Sequence, residues 1–121
     1  MTTPNPNTDL QTRKIPNDQL EVYFDRFTKR FLQADSTNRM DVEVLAPDWG
    51  NQFEAERVRV IGITYEPKKN TLDFALENAD HRVEGVKEVW TAEEPDGFVK
   101  TISVVRADGT RDIATINRRA T

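Results

Sequence analysis

A chain of 121 residues and 13.9 kDa has room for one domain and one core, with little left for a second. Its 36% hydrophobic and 31% charged residues are those of a folded chain rather than a disordered one. The absence of cysteine excludes disulfides, thiol catalysis and thiolate metal sites, and a single histidine excludes any site that needs two imidazoles from one chain.

The net charge of −4 is evenly spread, with −2 on residues 1–60 and −2 on residues 61–121. A pI near 5.0 argues against duplex nucleic acid, which usually asks for a basic face. No apolar run approaches the roughly 20 residues of a membrane span. The opening stretch MTTPNPNTDLQTRK lacks the apolar segment of a signal peptide. The expected location is the cytoplasm, with no membrane partner.

Residues 1–14 carry Pro4, Pro6 and little large apolar surface beyond Leu10, and read as a flexible tail. Ile15-Pro16-Asn17-Asp18 has the composition of a helix entrance, with Asn17 or Asp18 as the cap. Leu20, Tyr23, Phe24, Phe27 and Phe31 then recur at helical spacing. They predict an amphipathic helix ending near Ala34, its aromatic stripe read as core rather than as a ligand box.

From residue 39 the period changes to two. Met40, Val42 and Val44 alternate with Asp41 and Glu43, the pattern of a half-buried strand. Pro47-Asp48-Trp49-Gly50-Asn51 is a turn by composition. A long second strand over 53–65 slips its alternation, from Phe53 and Ala55 to Val58 and Val60, then to Ile61 and Ile63. With Gly62 nearby, the slip predicts a bulge or a sharp bend. Pro67-Lys68-Lys69-Asn70 turns the chain into a strand with Leu72, Phe74 and Leu76 on one face. Asn78-Ala79-Asp80-His81 reads as a loop, 83–91 as one strand, and Pro95-Asp96-Gly97 as the link to a strand over 98–105. Asp108-Gly109 between two alternating runs is a hairpin signal leading into 111–116.

The sum is an α+β fold. One N-terminal helix packs on a strongly bent antiparallel sheet, or a small and partly open barrel, of about six strands. The domain runs over 15–118, with 119–121 as a frayed end. A helix followed by a long bent second strand is analogous to Sm-like and SH3-like barrels, and that analogy carries no function by itself.

Several stretches carry a resemblance. Arg13-Lys14-Ile15-Pro16 is followed by Tyr23-Phe24-Asp25-Arg26-Phe27 and Val42-Glu43-Val44-Leu45-Ala46-Pro47-Asp48. Gln52-Phe53-Glu54-Ala55-Glu56, Gly62-Ile63-Thr64-Tyr65, Asp80-His81 and Ala107-Asp108-Gly109 continue the series. Over about residues 13–118 the chain resembles a family of small bacterial proteins catalogued only as a domain of unknown function. The resemblance implies bacterial origin and a compact α+β domain. It implies no activity, and its motifs read as scaffold.

Candidate chemistry is sparse. His81 is the one side chain that ordinarily titrates near neutral pH, with Asp80, Glu77 and Glu84 close in sequence. It has the makings of a general base oriented by a carboxylate, or of one corner of a metal site; the plainer reading is a loop histidine bonded to backbone or water. Asp41 with Glu43 and Glu54 with Glu56 share strand faces, and Glu93-Glu94-Pro95-Asp96-Gly97 is an acidic turn without calcium-loop spacing. These read as solvated faces, so no metal, cofactor or catalytic residue is assigned. Arg57 and Arg59 share a face, and Arg106, Arg111, Arg118 and Arg119 gather around the last hairpin. Trp49 in its turn either caps the open end of the barrel or anchors a partner.

The expected function is accordingly a non-catalytic protein-interaction or accessory module of a bacterial cytoplasm. Its partner is an unidentified protein, met through Trp49, Arg106 and Arg111. A single-stranded nucleic-acid-binding small barrel is the alternative, and an enzyme centred on His81 the third reading. Homo-oligomerisation through a sheet edge stays open.

Overall fold

The structure, a computed structural model, describes residues 10–32, 38–48 and 50–117. It contains one α-helix, α1 (Leu20–Phe31), and eight strands. These are β1 (Gln11–Ile15), β2 (Arg39–Ala46), β3 (Gly50–Glu66), β4 (Thr71–Leu76), β5 (Asp80–Glu84), β6 (Val86–Glu93), β7 (Val99–Arg106) and β8 (Arg111–Asn117). All pairings are antiparallel, in the order β1-β6-β7-β8-β2-β3-β4-β5. The sheet is open and strongly bent, with β1 and β5 as its two edges.

Three features correct the expected element list. Residues 11–15, assigned to the tail and helix entrance, form β1 and pair with β6 from Gln11 opposite Glu93 to Ile15 opposite Val89. The stretch 83–91 is not one strand, because Gly85 divides it into β5 and β6. Asp80 and His81, expected in a loop, begin β5. The strand count is therefore eight rather than about six.

The helix also starts differently. A 3-10 turn over Asn17–Gln19 precedes α1, and no side chain caps either element. Asn17 instead donates from Nδ2 to the Lys87 carbonyl at 3.2 Å, tying the helix entrance to β6. Leu20, Phe24 and Phe27 form the buried face of α1, as the aromatic stripe predicts. The Leu32 N–H closes the last turn on the Thr28 carbonyl at 3.0 Å. The expected helix end at Ala34 lies outside the described residues.

The bend sits in β3, which is 17 residues long. Its first part pairs with β2 and its second with β4, and the register against β4 shifts between Val60 and Gly62. This is the slip that the sequence announces. Thr28 of α1 is seated there. Its Oγ1 donates to the Ile63 carbonyl and accepts from the Ile63 N–H, both at 3.0 Å. The Thr28 methyl group lies 3.5 Å from where a Cβ on Gly62 would stand, so glycine admits the helix to the bend. Thr28→Val keeps the shape but leaves two backbone groups of nearly buried Ile63 without this partner. It is expected to cost about 1–3 kcal/mol in urea denaturation. A loss near zero would mean that water replaces the hydroxyl.

The sheet curls because β5 runs straight into β6. Gly85 makes that corner with φ +66, a conformation that side-chain-bearing residues rarely adopt. The corner is clasped from two sides. The Ala107 N–H donates to the Gly85 carbonyl at 2.7 Å, and Asn70 Nδ2 donates to the Val86 carbonyl at 2.9 Å. One edge strand thereby continues into the neighbour of the other edge strand. The core fills the concave side under α1, with Phe24, Phe74, Met40, Ile102 and Ile116 fully buried.

Candidate ligand pocket

Inward-facing positions alternate along each strand, and three strands place a polar residue at the end of their inward series. On β7 the series Ile102, Val104 continues to Arg106. On β8 the series Ile116, Ala114 continues to Asp112. On β5, Val83 is in phase with His81. The bend brings these three ends to one mouth of the curled sheet, beside Val44 and Ala46 of β2.

Asp112 is the centre of this cluster, and only 1% of its side chain is exposed. Its Oδ1 accepts from Arg106 Nε at 2.7 Å, and its Oδ2 accepts from Arg106 Nη2 at 2.7 Å. His81 Nε2 reaches the same Oδ2 at 2.8 Å. Burial alone would push the Asp112 carboxyl up, but the His81 and Arg106 hydrogen bonds and the Arg106 charge outweigh it, and the group lies below its ordinary value. Asp112 is therefore ionised at neutral pH and acts only as an acceptor. His81 must then carry a proton on Nε2, and its neutral form keeps a free lone pair on Nδ1.

His81 and Arg106, held by Asp112 behind them, wall an open pocket of about 510 Å³. Its rim includes Asp48, Asp108 and Thr110. Asp108 Oδ1 accepts from the Thr110 N–H at 2.9 Å. The Thr110 backbone and hydroxyl hydrogen bonds, aided by the Arg106 charge, hold the Asp108 carboxyl below its ordinary value. The Arg106 and Asp112 charges offset one another, and the rim adds the Asp48 and Asp108 carboxylates. Hydrogen-bond donors and cations suit it, and anions do not. Among the described residues no three His, Asp or Glu side chains gather closely enough to hold a metal ion.

His81 does meet a carboxylate, but not one of its sequence neighbours. Asp80 and Glu84 are exposed, and Glu77 pairs with Arg39 at 3.4 Å. The partner is Asp112, which sequence reasoning missed. The signal was present, since Asp112 is in phase with Ala114 and Ile116, and a carboxylate on a core face demands partners. Arg106 is in the pocket wall. Arg111 adjoins β7 opposite Val105, yet its side chain is exposed and does not join the cluster. Trp49, Arg118 and Arg119 lie outside the described residues.

The comparisons with known proteins agree in kind with one another. An uncharacterized protein of Aquifex aeolicus (strain VF5) is 34% identical over 108 residues, spanning 88% of this chain and 93% of that protein. No solved structure matches. The family of unknown function DUF5335 matches residues 11–121, a span that takes in the helix, all eight strands and every wall of the pocket, and to that family the chain belongs.

Proposed function

We propose that this protein is a non-catalytic interaction module of the bacterial cytoplasm, whose pocket seats a basic side chain of a protein partner. The observation that carries this reading is the mutual satisfaction of His81, Asp112 and Arg106. Three N–H groups saturate the Asp112 carboxylate, so it is not poised as a base. The Thr110 hydroxyl beside it is engaged by Asp108, so it is not set up as a nucleophile. What the pocket still offers are acceptors: the Asp48 carboxylate and the outer oxygen of Asp108. A lysine or arginine side chain fits that inventory. The cytoplasmic setting is supported by the composition. Among the described residues, no helix is long and apolar enough to cross a membrane.

Native mass spectrometry of the chain isolated gently from its own host tests this. The expected result is a stoichiometric complex with another protein, and its release by Asp48→Lys, a reversal at an exposed position with no role in the core. A bare 13.9 kDa chain after mild cross-linking would sink the reading. So would a retained small molecule that the protein converts on incubation.

A further inference from the structure

A second surface lies between α1 and the strands β1, β6 and β7, and shares no lining residue with the pocket. Two adjoining depressions of about 170 and about 460 Å³ share Arg13, Tyr23 and Arg26. Together they make one groove along the helix, from Asp18 and Val22 at one end to Arg30 and Phe31 at the other. The open edge strand β1 borders it, with residues 11–14 exposed.

The groove is cationic on an acidic protein. Arg13, Arg26 and Arg30 line it against Asp18 and Glu93. All three arginines are exposed, and none is in a salt bridge among the described residues. Two of them are held by aromatic rings instead. The Arg30 guanidinium lies 4.9 Å from the Phe31 centroid, and that of Arg13 lies 6.0 Å from the Tyr23 centroid. Such stacking fixes the guanidinium plane and leaves its edge N–H groups for a carboxylate. Val22, whose aliphatic side chain stays about half exposed, adds an apolar contact.

We infer that this groove binds an extended acidic peptide segment of a partner protein. The inference rests on the interaction-module reading and names the chemistry of a second contact. Two observations select a peptide. The ring faces that a nucleobase would stack on are those already met by Arg13 and Arg30. The free edge of β1 offers backbone hydrogen bonds, which an added strand can use. The spacing agrees. Arg26 and Arg30 are one helical turn apart, roughly 6 Å along the axis, and alternate residues of an extended chain are roughly 6.7 Å apart. Two acidic side chains at alternate positions therefore match them. From Asp18 to Phe31 the groove runs about 20 Å, enough for about six extended residues.

The test is fluorescence anisotropy on the full chain. The probe is a short labelled peptide alternating glutamate with leucine, compared with its lysine counterpart and with a uridine oligonucleotide of equal charge. The acidic peptide is expected to bind, to weaken as salt rises, and to bind at least about tenfold more weakly to Arg26→Glu/Arg30→Glu. Unchanged circular dichroism and melting of that variant exclude unfolding. Equal binding by the variant, tighter binding of the oligonucleotide, or no binding of the acidic peptide to the native chain would each overturn the proposal. Asp48→Lys should leave this titration unchanged. A failed groove with an intact pocket complex, or the reverse, thus separates the two readings.

Discussion

Arg106→Ala is expected to lower folding stability by about 3–5 kcal/mol. The loss comes less from the missing contacts than from what they leave behind. Asp112 has 1% of its side chain exposed, so its charge has no route to water. Without the two Arg106 donors, only His81 faces it. Arg111→Ala, one residue before the buried carboxylate but on the exposed face of the same strand, should stay within about 0.5 kcal/mol. The effect also has a pH signature. A carboxyl lowered in the folded state lends stability above its unfolded pKa, here 3.8, and gives it up as pH falls through the folded value. The gap between wild type and Arg106→Ala should therefore be full at neutral pH and narrow below about pH 4. Urea midpoints on both sides of that pH measure it. Equal midpoints at neutral pH would mean that Asp112 reaches solvent and that the cluster is dispensable to the fold.

Phe24→Ala is the second large effect, at about 3–5 kcal/mol. Phe24 is fully buried, meeting Tyr23 edge-on at 5.0 Å and Phe27 at 6.2 Å. It is the middle of the apolar stripe that the helix buries, between Leu20 and Phe27. Truncation leaves a void under a helix already pinned at Thr28, so collapse onto the gap is restricted. Val22→Ala, two residues away on the outer face and 51% exposed, should cost little. Chemical denaturation of the two variants side by side separates helix propensity from core loss. A Phe24→Ala loss below about 1.5 kcal/mol would show that the helix repacks freely.

The helix was readable because its stripe is long, aromatic and strictly periodic. The β2 alternation and the Asp108-Gly109 hairpin were readable for the same reason, as each is a local pattern. The bend in β3 showed as a slip of phase. β1 was not readable. Gln11, Thr12, Arg13 and Lys14 form a strand because β6 offers them an edge, a pairing about 80 residues away in sequence that no local preference reveals. The β5–β6 corner left a trace. Val83 and Val86 are three apart, an odd offset that one straight strand cannot bury on one face. The pocket was half legible. His81 stood out as the lone histidine, but its partner depends on which strand ends the curl brings together. Asp112 lies 31 residues beyond it, on the strand between β7 and β2.

That position of β8 bears on how the protein comes into being at the ribosome. The hairpins β6–β7 and β2–β3–β4–β5 are formed by neighbours in sequence, so each can assemble as it emerges. Beyond the Gly85 corner, the ladder that joins them is β8, which sets Asp41 opposite Thr115 and Thr101 also opposite Thr115. Until residues 111–117 leave the exit tunnel, the facing edges of β2 and β7 are bare, and Asp112 is not there to receive Arg106 and His81. The β2–β3–β4–β5 half-sheet is complete in sequence by residue 84, and its β2 edge waits for residues 111–117. Completion comes in one late step of long sequence reach, which is the slow kind of β pairing.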